Sequence, residues 1–119
     1  MFHALSGTMN VLGDAPGRHS VSLLKKIVLP GGNIPQPDAT LTLCSDSLFV
    51  DPLHTRSLYK AYTKKNGCGI LYCIHIWQGK GTVAGNVDAT MIPGLEGENF
   101  AVFSNHKGFL GMGDRQTSY

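Results

Sequence analysis

Period-two alternation of apolar and polar residues, cut repeatedly by glycine and proline, constrains this chain most. Leu5, Gly7, Met9 and Val11 share one face of an extended stretch, with Ser6, Thr8 and Asn10 on the other. Ala39, Leu41 and Leu43 alternate with Thr40, Thr42 and Cys44, and Leu48-Phe49-Val50 resumes an apolar character after Ser45-Asp46-Ser47. Val83, Gly85, Val87, Ala89 and Met91 alternate with neutral or acidic neighbours and give the cleanest one-sided pattern. Successive side chains of a strand point to opposite faces, so such a pattern predicts half-buried strands and not amphipathic helices.

Other stretches extend this reading. Val21, Leu23, Ile27 and Leu29 predict a strand over about 20–29, with Lys25 interrupting its apolar face. Ile70 to Trp77 is apolar on both faces, which predicts a central strand. Phe100–Phe103 predicts a short strand, and Phe109, Leu110 and Met112 another beyond the turn-like Asn105-His106-Lys107-Gly108. Pro30, Pro35 and Pro37 together with Gly31 and Gly32 predict a loop at 30–37.

Residues 51–67 carry two competing signals. Asp51-Pro52 can start a helix, Leu58, Ala61 and Tyr62 can share its face, and Gly67 can close it. Asn66-Gly67 is also the strongest two-residue hairpin signal, and it would join 58–63 to the next strand. The balance is set toward a short helix. The expected fold is mainly β: six to eight short antiparallel strands in a sandwich or barrel, with room for one short helix near 52–64. At 119 residues one domain is expected, long enough to bury a core without disulfides.

Charge narrows the function classes. Asp, Glu, Lys and Arg make up 15% of the chain, against roughly 25% in average soluble domains. Sparse charge eases association. The net charge of +2, with lysines in pairs at 25–26 and 64–65, argues against specific nucleic-acid binding, which leaves a concentrated basic footprint. No apolar run approaches the ~20 residues of a membrane span. Met1 to Thr8 lacks the charged and apolar regions of a secretory signal, so a cytoplasmic location or one within a viral particle is expected. Cys44, Cys68 and Cys73 are odd in number and irregular in spacing, which predicts reduced thiols.

No catalytic or metal motif stands out. His3, His19, His54, His75 and His106 pair with no Cys, His or carboxylate at a metal-site spacing. Cys73, His75 and Trp77 would share a strand face, where a Cys–His pair is conceivable but a packed core face explains them better. Asp38, Asp46 and Asp51 read as loop aspartates bonding to nearby backbone. No cofactor, catalytic residue or metal ligand is assigned.

The leading functional expectation is therefore a non-enzymatic structural subunit, assembling with itself or within a larger protein assembly such as a virion, as a decoration or tail protein. Phe2, Phe109, Leu110 and Met112 are the candidate assembly contacts, and Tyr59 and Tyr62 the candidate exposed aromatic contacts. The alternatives are a β-module binding a sugar, peptide or small molecule, and a small enzyme with a dispersed His/Cys/Asp site.

Overall fold

The computed structural model describes residues 13–105 and 108–119. Among these the chain is mainly β, with two antiparallel sheets, one short helix and no closed barrel. Helix α1 covers Val21–Leu24 and strand β1 Thr42–Leu43. Strands β2, at Tyr59–Lys65, and β3, at Cys68–Ile74, form a hairpin; β4, at Asn99–Ser104, and β5, at Gly108–Asp114, form another. The first sheet runs in the order β1-β2-β3, and the second is β4-β5 alone.

The hairpin signal at Asn66-Gly67 prevails over the helix expected near 52–64. Both turn residues take left-handed backbone angles, φ 49° and 76°, as a two-residue turn that matches strand twist requires. The turn also docks on the rest of the chain, since Asp38 accepts from the Asn66 amide at 2.6 Å and from Lys65 Nζ at 3.1 Å. In register, Tyr62 lies opposite Leu71 and Ala61 opposite Tyr72. Pairing on both sides makes β2 the central strand; β3, expected in the centre, is an edge.

Three other strand expectations are corrected. The 20–29 stretch forms α1 and following turns, because the Ser20 carbonyl accepts from the Leu23 and Leu24 amides and local bonding continues to Val28. The strand expected at 39–44 shrinks to Thr42–Leu43 and runs into a 3-10 turn at Ser45–Ser47, with no strand at 48–50. The alternating 82–91 segment is irregular up to a 3-10 turn at Ala89–Met91, where Asp88 accepts from the Thr90 amide at 2.9 Å. Residues 5–12 and Phe2 lie outside the described residues. Five strands are present among the described residues, fewer than expected. The 30–37 loop, β4 and the last strand are found as expected.

Burial is concentrated around β2. Ala61 and Thr63 are buried on one face of that strand and Lys60 on the other, with Cys44, Ser47, Ile92 and Leu95 completing the buried set among the described residues. Ile92 and Leu95 close over Gly69 of β3, where a Cβ would collide with the Ile92 side chain. That close approach is why an unsubstituted backbone sits at this point of an edge strand. The segment from Asn86 to Leu95 thereby becomes a lid of irregular chain on one face of the first sheet.

Candidate functional site

The face of the first sheet that carries Lys60 holds the chain's most unusual side chain. Lys60 is only 7% exposed. Register places it opposite Cys73 on β3, and the Cys44 amide, just past β1, donates to its carbonyl at 3.0 Å, so two cysteines flank it. Its ammonium donates to Asp46 Oδ2 at 2.8 Å and to the Asn86 carbonyl at 2.8 Å, and lies 3.9 Å from Met91 Sδ. A buried ammonium needs such partners, because stripping water from it is costly. The lysine joins the 3-10 turn at 45–47 and the lid segment to the sheet. Burial, helped by the Asp46 carboxylate and the neighbouring Cys73, pushes the Cys44 thiol up to about 11. Partial desolvation also raises the thiol of Cys73, whose residue is otherwise exposed, against the opposing pull of Lys60. Both are therefore neutral thiols at ordinary pH and poor nucleophiles.

Beside this row opens a cleft of about 620 Å³ between the β2–β3 hairpin and the β4–β5 hairpin. Leu71, Ile92, Leu95 and Phe100 make it mainly apolar, while Asp88, Glu96 and Asn99 bring polar atoms to its wall. Tyr119 closes one end, where its backbone exchanges two hydrogen bonds with Val87, at 2.9 and 3.2 Å. The Tyr119 hydroxyl is buried there and has no hydrogen-bond partner among the described residues.

On the far side, Arg56 lies over the Trp77 ring, 5.6 Å from its centroid, and donates to the Thr82 carbonyl at 2.8 Å. A Cβ on Gly79 would overlap the same ring, so the indole is held between a guanidinium and bare backbone. His75 and Trp77 lie beyond the end of β3, ring centroids 6.4 Å apart. The shared strand face expected for Cys73, His75 and Trp77 therefore does not form.

Asp51 and Asp114 bond to near neighbours in sequence, whereas Asp38 and Asp46 reach across the chain, contrary to the expectation of loop aspartates bonding nearby backbone. Asp51 accepts from the Leu53 amide and pairs with His54 at 2.6 Å. Asp114 accepts from the Thr117 hydroxyl and the Gln116 amide. Asp38 serves the β2–β3 turn and Asp46 serves Lys60. Among the described residues no cluster of His, Cys, Asp or Glu could hold a metal ion, and no helix is long and apolar enough to cross a membrane. Tyr59 and Tyr62 are half-buried on the central strand and not freely presented. Phe109, Leu110 and Met112 are exposed on β5. Lys60 escaped the sequence reading because a lysine at a strand position ordinarily marks a solvated face; its inward position shows only once the register is known.

Comparison with known proteins gives a family match over residues 2–90, to the model described as raffinose synthase or seed imbibition protein Sip1. The chain is similar to two proteins of Arabidopsis thaliana. One is probable galactinol–sucrose galactosyltransferase 5, at 33% identity over 69 residues. The other is probable galactinol–sucrose galactosyltransferase 6, at 36% over 69 residues. Each alignment covers 57% of this chain and 9% of the relative, so the chain spans a small part of the length of the proteins it matches. These matches overturn the expected structural subunit of a homo-oligomer or virion, because the relatives are plant transferases and not capsid, decoration or tail proteins. Sparse charge misled that inference, because neutral polar residues can cover a β-rich surface whether or not it assembles.

Proposed function

Because the chain belongs to the family of raffinose synthase and seed imbibition protein Sip1, we propose that it takes part in galactosyl transfer from galactinol to sucrose, as a β-rich segment of a longer transferase. The family match over residues 2–90 carries this reading. Its restricted role is supported by the chemistry of the carboxylates. Glycosyl-bond chemistry generally uses two carboxyl groups facing each other across the bond, about 5–5.5 Å or 6.5–9.5 Å apart. Here Asp38 binds the β2–β3 turn and Asp46 binds Lys60, Asp14, Asp51, Asp88 and Asp114 are bonded to near neighbours in sequence, and Glu96 stands beside Asp88 in the wall of the cleft. The reacting pair would come from other parts of the transferase, and this segment would contribute framework beside them.

A chimera tests it: either Arabidopsis relative with its matching stretch replaced by this chain, assayed for galactosyl transfer from galactinol to sucrose. Transfer by the chimera, and none by the chain alone, is the expected result. A folded chimera without transfer, or transfer by the chain alone, would overturn it.

A further inference from the structure

The cleft between the two hairpins is lined by acids and by no base. Asp88 and Glu96 both stand in its wall, and no Lys, Arg or His is among the described residues that line it. Overall charge does not explain this, because the chain carries 10 Lys and Arg against 8 Asp and Glu. The bases that reach the same segment bond elsewhere: Lys64 Nζ donates to the Pro93 carbonyl at 3.3 Å, and Arg115 donates to the Leu95 carbonyl. Neither cleft carboxylate is neutralised by a cation among the described residues. Glu96 is exposed and makes no hydrogen bond there. Asp88 Oδ1 accepts from the Thr90 amide at 2.9 Å and from the Thr90 hydroxyl, which leaves Oδ2 without a partner among the described residues.

The remaining wall is largely apolar, from Leu71, Ile92, Leu95, Phe100 and Phe103. The volume of about 620 Å³ falls within the roughly 300–1,000 Å³ over which concave sites enclose small molecules. Low-dielectric walls with charges of one sign focus the field on the opposite charge. An ammonium in such a place is attracted by the carboxylates and also by the negative face of an aromatic ring. An anionic ligand would meet two like charges, and a neutral one would leave both uncompensated. We propose that the cleft binds a small organic amine, its apolar body against Leu71, Ile92 and Phe100 and its ammonium on the carboxylates of Asp88 and Glu96. This binding goes beyond galactosyl transfer, and neither the occupant nor its test depends on that reaction.

Phenethylamine, phenethyl alcohol and phenylacetate share an aromatic body and differ in the charge of the head, so they probe the whole chain at neutral pH. Cys68 and Cys73 line the cleft and Cys44 does not. The rate of iodoacetamide alkylation at each thiol, read by mass spectrometry, therefore reports occupancy with an internal control. Phenethylamine should slow Cys68 and Cys73 and leave Cys44 unchanged. Its half-protecting concentration should lie about tenfold below that of phenethyl alcohol, with phenylacetate the weakest of the three. Glu96→Gln, an isosteric change at an exposed position, should cut the preference for the amine roughly threefold and leave the alcohol unaltered. Asp88→Asn keeps an acceptor for Thr90, should act in the same way, and decides the matter if Glu96→Gln does not fold. Protection by the amine no better than by the alcohol would overturn the proposal. So would a preference unchanged in the folded variants, or no protection of Cys68 and Cys73 by the amine.

Discussion

Lys60 and Asp46 make an asymmetric pair, and the asymmetry predicts a particular pattern of stabilities. Lys60 has 9% of its side chain exposed, Asp46 45%. Removing the lysine charge while keeping its stem, as Lys60→Met, frees Asp46 to return to water. The Asn86 carbonyl lies on an exposed residue and can also be resolvated. The methionine fills the apolar part of the site, so the net cost should be small, ~0.5 kcal/mol, since buried ion pairs are often replaceable by apolar groups. Asp46→Ala instead strands a buried ammonium on one carbonyl oxygen. Stranding a fully buried charge costs about 3–5 kcal/mol, and partial exposure of the pair brings this to about 2 kcal/mol. In the double variant the stranded charge is gone, so it should resemble Lys60→Met, giving a coupling of about 2 kcal/mol. Urea unfolding followed by circular dichroism measures all four proteins. Losses that add within about 0.3–0.5 kcal/mol would refute the reasoning, as would a Lys60→Met variant less stable than Asp46→Ala.

Three further outcomes are expected. Thr63 is 1% exposed and donates to the Ala39 carbonyl at 2.6 Å, so Thr63→Val should lose about 1 kcal/mol and Thr63→Ala about 2 kcal/mol in the same urea assay; equal losses would show that only packing counts there. The carboxyls of Asp38, Asp51 and Asp114 are held below the ordinary 3.8, chiefly by the Asn66 amide, His54 and the Thr117 hydroxyl respectively. Their contribution to stability is complete above that ordinary value and is lost as pH falls through the lower folded values, so Tm should drop below about pH 4 and Asp38→Asn should flatten the drop; a level Tm would count against it. Alkylation with iodoacetamide at pH 8 should modify exposed Cys68 first and buried Cys44 last, and the reverse order by mass spectrometry would contradict the burial argument.

Local chemistry was legible in the sequence where it agreed with the partners a segment finally met. Phe100–Phe103 and Phe109–Met112 are short apolar runs beside turn residues and do pair, and the proline-glycine stretch at 30–37 is a loop. Leu58, Ala61 and Tyr62 fit helical spacing as well as a strand, and the choice fell to turn geometry and to Asp38, 28 residues before the amide it binds. Val83 to Met91 alternates as cleanly as any strand, yet its backbone bonds go to Asp88 and Tyr119 and not to a ladder. Alternation reports which side chains face a core; it does not say whether another strand lies alongside. The Lys60 site was not legible, because its partners stand 14 and 26 residues away and nothing in a lone lysine announces burial.

The clasp between Val87 and Tyr119 gives the fold a timetable. The β2–β3 hairpin needs only residues up to Ile74 and closes on a scale of about 1–10 μs. The two clasp bonds need Tyr119, and synthesis at about 5–20 residues per second delivers the intervening 45 residues over roughly 2–9 s. For those seconds the finished hairpin presents Leu71 and Cys73 with one wall of the cleft still unmade. A nascent chain halted between residues 75 and 118 is therefore the form in which this sequence is most exposed to chaperones and to aggregation.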